Sequence, residues 1–127
     1  MSAAIPRLRG VLSPVLTPFN VRLDPDPKLF LDHCQRLVNA GVGLAIFGTN
    51  SEANSLSVQE KIDLIDFLLA NGIPANRMMP GTGCCALTDS VALTAKAVKS
   101  GCAGTLMLPP FYYKEVSDDG LDRKSVV

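Results

Sequence analysis

The sequence has no surplus charge of either sign. Its 127 residues carry 12 Lys and Arg against 12 Asp and Glu, for a formal net charge of zero. No run of like charges is longer than a pair. Without a long-range field, nucleic acid and anionic membrane surfaces lose their usual means of capture, so neither is expected as a partner. Long apolar runs are also missing. The longest, Val42 to Phe47, falls far short of the ~20 residues a membrane-spanning helix needs. The first ten residues hold two arginines, but Pro14, Thr17 and Pro18 interrupt the next segment, and no secretory leader is expected. The four cysteines, Cys34, Cys84, Cys85 and Cys102, show no C-x-x-C pair, which argues against a zinc site. The chain is also long for a disulfide-dependent scaffold, so a reducing cytoplasm is the expected setting. H-E-x-x-H, a phosphate-binding Walker loop and G-x-S-x-G are all absent, which leaves metalloprotease, phosphate-loop and serine-hydrolase chemistry without support. The single histidine, His33, has only Cys34 beside it and reads as a helix-surface residue. No metal and no cofactor are expected.

What is present is a globular composition, with 47% hydrophobic residues and a mean hydropathy of +0.24, enough to close one core. Short apolar segments bounded by glycine or proline alternate with longer segments of helical period, the pattern of βα units around a parallel sheet. Val11 to Leu16, Leu44 to Phe47, Arg77 to Pro80 and Thr105 to Leu108 read as four strands. Between them lie three helical stripes: Phe30, Cys34, Leu37 and Val38; then Val58, Ile62, Ile65 and Leu69; then Val91, Ala95, Val98 and Cys102. Ser57 with Glu60 forms a capping box, and Thr88-Asp89 stands at the head of the third helix. Gly41, Gly72 and Gly101 end the three patterns. The strand ends Thr17, Gly48, Gly81 and Pro109 are 31, 33 and 28 residues apart, one βα unit per interval. A closed (β/α)8 barrel needs eight such units and about 250 residues. Ser117 to Leu121 opens like a fourth helix, but Asp122 to Ser125 supply no apolar stripe. A short native tail and a chain cut or shifted out of frame both fit that ending.

Three loops at strand ends could carry chemistry. Gly81 to Ala86 fits G-x-G-x-x-A between a strand and a helix, the setting of a dinucleotide-binding turn. No acidic residue for the ribose is present in Gly101 to Leu108, so a tight turn allowing close backbone approach is the stronger reading. Gly48-Thr49-Asn50-Ser51-Glu52 offers hydroxyls, an amide and backbone N–H groups suited to a small carboxylate. A polar loop bonded to its own backbone is the alternative. Tyr112 and Tyr113, the only tyrosines, come after the fourth strand, where a phenol can relay a proton, plug the barrel mouth or anchor an interface.

Taken in order, these segments resemble the dihydrodipicolinate synthase/N-acetylneuraminate lyase family. The likeness runs through Gly10 to Phe19 ending in Thr-Pro-Phe, Gly48-Thr49-Asn50-Ser51-Glu52 beside the family's G-T-T-G-E, Leu56 to Glu60, Gly81-Thr82-Gly83, and the paired tyrosines before Ser117 to Leu121. The resemblance implies a TIM (β/α)8 barrel, here a partial barrel of about four βα units. It also implies a Schiff-base, class I aldolase-type lyase acting on pyruvate or a related 2-oxo acid. In that scheme Thr49 supplies the hydroxyl of a proton relay and Tyr113 extends it, often across a subunit interface. Gly48, Thr49 and Asn50 hold the substrate carboxylate. Asn50 and Ser51 depart from the family's threonine and glycine, which keeps the N–H contact and removes the hydroxyl one.

Family members carry the Schiff-base lysine on their sixth strand, which this sequence does not contain. A Schiff-base lysine must be partly desolvated so that some of it is neutral. Lys28, Lys61, Lys96 and Lys99 fall on or beside helices, Lys114 in a loop and Lys124 in the tail. The expectation is therefore residues 1–121 as the amino-terminal half of a barrel, residues 122–127 as a polar tail, and no turnover by this chain alone. Its open strand edges favour self-association or a homo-oligomer. A non-catalytic half-barrel that dimerises around a small 2-oxo acid is the alternative, and a dinucleotide-binding domain is a more distant one.

Overall fold

The computed structural model describes residues 8–125, with side chains through Asp122. Strand β1 (Leu12–Pro14) pairs in parallel with β2 (Gly43–Ala45), Ser13 opposite Leu44. Segment 78–82 lies along the other side of β2, with the Met79 N–H donating to the Leu44 carbonyl at 2.8 Å and the Gly81 N–H to that of Ile46 at 2.7 Å. Segment 103–106 comes next, with the Ala103 and Leu106 N–H groups donating to Met78 and Pro80 carbonyls at 2.9 Å each. The four expected strands are thus laid side by side in sequence order, all parallel. The third and fourth meet their neighbours only through the single bridges Leu44↔Met78 and Gly81↔Leu106. On the side of segment 103–106, Pro80 has no N–H to give and the Met78 N–H turns back to Ala75, so of these alternate residues only Thr82 donates, to the Leu106 carbonyl at 3.0 Å. β2 stops at Ala45, before the expected Phe47, because the backbone turns and Phe47 takes φ 60°.

Helices α1 (Pro27–Asn39), α2 (Val58–Ala70) and α3 (Leu87–Lys99) fill the intervals between these segments; α1 packs on β2, and α2 packs on both α1 and α3. Asp26 caps α1 by accepting from the Lys28 and Leu29 N–H groups, and the Ser57–Glu60 capping box opens α2. Gly41, Gly72 and Gly101 stand just past the three helix ends at φ 79°, 87° and 77°, the left-handed turn only glycine takes without strain.

Two helical faces differ from the stripes drawn on the sequence. On α2 the buried residues are Lys61, Leu64, Ile65 and Leu68, while Val58, Ile62 and Leu69 are only half-buried. This helix packs against both α1 and α3, so its apolar surface is wider than one stripe and its centre is rotated by about one residue. On α3 the correction is larger. Ser90, Leu93 and Ala97 face the core, whereas Val91, Ala95 and Val98 are exposed. Thr88-Asp89 lie inside the first turn and do not cap it. The cap position is Ala86, which offers no side-chain acceptor.

The core joins Val15, Phe30, Cys34, Leu44, Ile46, Ile65, Leu68 and Met78, with the Phe30 and Phe47 rings stacked at 6.2 Å. A fourth helix, α4 (Asp118–Ser125), does form. Residues 122–125, expected from sequence to be tail, belong to it, and residues 126–127 lie outside the described residues. Polar side chains and two acids in the first turn suffice for a surface helix without an apolar stripe. Among the described residues, no helix is long and apolar enough to cross a membrane.

Candidate active site

At the carboxyl end of β2 the chain leaves the sheet through two residues in the left-handed region, Phe47 at φ 60° and Glu52 at φ 54°. Between them Thr49–Ser51 form a single 3-10 turn. A bulky aromatic at positive φ is strained, and such strain is held only where surrounding contacts over-determine it. Here they do, because the Phe47 ring is buried against Phe30 and Gly81 presses on the Phe47 carbonyl. Ser51 is fully buried, and its hydroxyl donates to the Val15 carbonyl, which ties the turn to β1. A serine in such a loop can equally bond its own backbone; the longer tether to β1 becomes visible only when β1 and β2 are adjacent.

The turn commits the N–H groups of Ser51 and Ala53 to the Gly48 carbonyl and that of Glu52 to Thr49. Among the described residues this leaves the Thr49 and Asn50 N–H groups without an acceptor in the protein. Gly48 and Thr49 line a cleft of about 240 Å³ whose other walls include Glu52, Ser55, Gly81, Gly83 and Leu106 to Leu108. That is smaller than the ~300–1,000 Å³ of a drug-sized pocket and suits a metabolite of a few heavy atoms. Thr49 is exposed in the cleft wall, with its hydroxyl free to bond a ligand. Asn50 is exposed but does not line the cleft. Ser55 and the Leu106 to Leu108 wall are not legible as site residues in the sequence, since only the pairing of segments 78–82 and 103–106 brings that wall opposite Thr49.

Tyr113 lies elsewhere. It lines a second cleft of about 210 Å³ with Cys84, Cys85, Leu87, Phe111, Tyr112 and Gly120. It is 77% exposed and meets the Tyr112 ring edge-on at 5.2 Å. Within one chain the structure therefore does not bring Tyr113 and Thr49 into one site.

The Gly81 to Ala86 loop serves packing. A Cβ on Gly81 would sit 2.1 Å from the Phe47 carbonyl oxygen, and one on Gly83 would sit 2.7 Å from Leu108 Cβ. Both glycines are explained by close approach of neighbouring loops, and the dinucleotide reading loses the observation that raised it. Among the described residues no three His, Cys, Asp or Glu side chains gather as a metal site.

The model of the dihydrodipicolinate synthetase family matches residues 7–123. An uncharacterized DapA-like lyase of Chloroflexus aurantiacus is 35% identical over 115 residues, covering 89% of this chain and 38% of that protein. A 4-hydroxy-tetrahydrodipicolinate synthase of Oceanobacillus iheyensis is 30% identical, covering 92% and 40%. The crystal structure of dihydrodipicolinate synthase from Agrobacterium tumefaciens superposes with a TM-score of 0.87 at 29% identity, covering 92% of this chain and 41% of that one. A prophage protein of the family from E. coli, solved in complex with pyruvate, gives 0.80 at 26% identity, covering 92% and 39%. The chain thus spans about two-fifths of the length of the relatives it matches.

Proposed function

Because this chain belongs to the dihydrodipicolinate synthetase family, whose solved members here are barrel enzymes, we propose that it is the amino-terminal part of a Schiff-base lyase acting on pyruvate or a related 2-oxo acid. The observation that carries the proposal is the cleft at the carboxyl end of β2, where Thr49 presents a hydroxyl and one uncommitted backbone N–H to a space of small-acid size. N–H donors and a hydroxyl favour a carboxylate or a keto oxygen without a fixed cation.

In the complete reaction a lysine amine adds to the keto carbon and water leaves. The resulting iminium accepts the electron pair of a C–C or C–H bond that breaks at the neighbouring carbon, and the enamine so formed returns that pair to a proton or to an electrophilic carbon. Thr49 would pass the proton. Tyr113 would extend that relay from another subunit, since in its own chain it occupies a different cleft. Asn50, which does not line the cleft, would not touch the acid directly.

This chain alone should stop short of chemistry. Lys96 is engaged by Asp66 of α2, Lys61 is buried in the core-facing side of α2, and Lys28, Lys99 and Lys114 are exposed. None of these lines the Thr49 cleft. Titrating the protein with pyruvate should shift the Gly48 and Thr49 amide resonances, and borohydride added to the mixture should leave its mass unchanged. A covalent adduct on any lysine would overturn the inactivity, and unmoved Gly48 and Thr49 resonances would overturn the site.

Four free thiols fit a reducing, cytoplasmic setting. β1 and segment 103–106 each have a backbone partner on one side only among the described residues, and Val11, Leu16, Met107 and Leu108 are exposed near those edges. Open parallel edges are pairing templates. Light scattering across a dilution series should therefore show concentration-dependent oligomers; a monomer at every concentration would count against the half-barrel reading.

A further inference from the structure

The parallel ladder between β1 and β2 advances two residues at a time. The Gly43 N–H donates to the Val11 carbonyl at 2.9 Å, and the Val15 N–H donates to the Ala45 carbonyl at 3.2 Å. With Ser13 opposite Leu44, the next bond of the series would run from the Phe47 N–H to the Val15 carbonyl. That bond is not made. Phe47 leaves the sheet at φ 60°, and among the described residues its N–H has no acceptor. The Val15 carbonyl accepts the Ser51 hydroxyl instead, from 36 residues along the chain. Val15 and Ser51 are both fully buried, so water offers neither oxygen another partner.

The hydroxyl thus takes the place of a sheet bond at the point where the candidate site begins. Thr49–Ser51 is a 3-10 turn of three residues, and so short a turn has poor hydrogen-bond geometry of its own. Ser51 is held at two points, by its N–H on the Gly48 carbonyl at 3.1 Å and by its hydroxyl on β1. Phe47 and Glu52 bracket the turn in the left-handed region, which persists only where surrounding contacts fix it. The Phe47 ring stacked on Phe30 fixes one side. On the other, the Ser51 hydroxyl makes the only side-chain hydrogen bond of residues 48–55 among the described residues. Ser51 stands where the family's G-T-T-G-E motif has glycine, which has no hydroxyl, so the tether belongs to this chain and not to the motif.

Resting on the pyruvate site proposed above, we propose that Ser51 is its positioning residue: the hydroxyl stands in for the missing ladder bond and holds Gly48 and Thr49 in the cleft wall. Ser51 does not itself line the cleft, so it acts through the backbone and does not touch the acid. Without the hydroxyl, the buried Val15 carbonyl loses its partner, a costly state. The donor able to relieve it is the one the ladder passed over, the Phe47 N–H. Taking that donor draws Phe47 towards β1. Gly48 and Thr49 follow, away from Gly81, Gly83 and the Leu106 to Leu108 wall, which lie on the opposite side of β2.

Ser51→Ala in the full chain tests this. Its pyruvate affinity, read from the Gly48 and Thr49 amide shifts, should fall at least about tenfold, since small displacements of a binding group are expensive. Its Phe47 amide should exchange with solvent more slowly than in the wild type, whereas a general loss of stability would make that exchange faster. Ser51→Gly also removes the hydroxyl and takes over both measurements if circular dichroism shows that the alanine variant does not fold. Ile73→Val trims the core just past the far end of α2 and should leave pyruvate affinity unchanged. The proposal fails if the hydroxyl-free variant binds pyruvate as the wild type does, or if its Phe47 amide is not slowed. It fails equally if Ile73→Val weakens binding as much, which would assign the effect to stability. A wild-type chain that does not bind pyruvate would sink the site reading by itself, and Phe47 exchange would still decide whether Ser51 replaces the ladder bond.

Discussion

Gly81→Ala is expected to destabilise the fold by about 3 kcal/mol or more, over half of the total if that is near the ~5 kcal/mol lower end for small domains. The added Cβ would lie 2.1 Å from the Phe47 carbonyl oxygen and 2.7 Å from its carbonyl carbon. Both are backbone atoms, so no side-chain rotation relieves the clash. Phe47 already sits at φ 60° with its ring stacked on Phe30, and the Gly81 N–H is bonded to Ile46 at 2.7 Å, which fixes both sides of the contact. Gly104→Ala is the matched control. Its Cβ would meet only the flexible Met79 side chain, at 3.5 Å, and the change should stay within about 1 kcal/mol. Urea melts of the three proteins decide the matter; equal midpoints for Gly81→Ala and wild type would refute the close-approach account.

The second large effect concerns Cys34. Burial in the core pushes its thiol up to about 12 from an ordinary 9.0. The folded state therefore holds this proton more tightly than the unfolded chain does. The proton contributes no pH dependence below the unfolded value, and stability falls as pH rises from about 9 towards 12. The slope is about 1.4 kcal/mol per pH unit while the window lasts, on the order of 4 kcal/mol in all. Cys34→Ala should lose that alkaline decline while keeping any contributed by tyrosines and lysines, so the difference between the two stability–pH curves isolates the thiol. The same burial orders reactivity. Cys85 is exposed and Cys84 half-buried, while Cys34 and Cys102 are buried, with desolvation raising Cys102 and Lys96 partly offsetting it. Thiol labelling under native conditions should modify Cys85 first and Cys34 only on the timescale of unfolding. Prompt labelling of Cys34 would show that the core is not closed.

Both effects trace to contacts between units that are remote in the chain. The alternation of short apolar segments with helical ones is enough to expect parallel βα units, because strand and helix periods are local properties of the chain. Helix ends are legible for the same reason. The Ser57–Glu60 box and the glycines at 41, 72 and 101 act within one turn. Helix faces are less so. Val91, Ala95 and Val98 have the same spacing whether they meet the core or face outward, and only the positions of α2 and the sheet edge distinguish the two.

The candidate site divides along the same line. The order of Thr-Pro-Phe, Gly-Thr-Asn-Ser-Glu, Gly-Thr-Gly and the paired tyrosines carries the family, and the family model over residues 7–123 agrees. The ordered motifs do not say that Thr49 faces Leu106 to Leu108, that Ser51 is tethered to Val15, or that Tyr113 lies in a separate cleft.

By itself, then, the sequence determined the period of each element and the punctuation between them. Tertiary structure alone decided which face of α3 is covered, why Gly81 must be glycine, and which strand-end residues share a cleft. Spacing along a chain records turns of the same helix or strand. The distance between Gly81 and Phe47, or the open flank beside Val98, is set by parallel pairing between segments about thirty residues apart, and no local pattern encodes it.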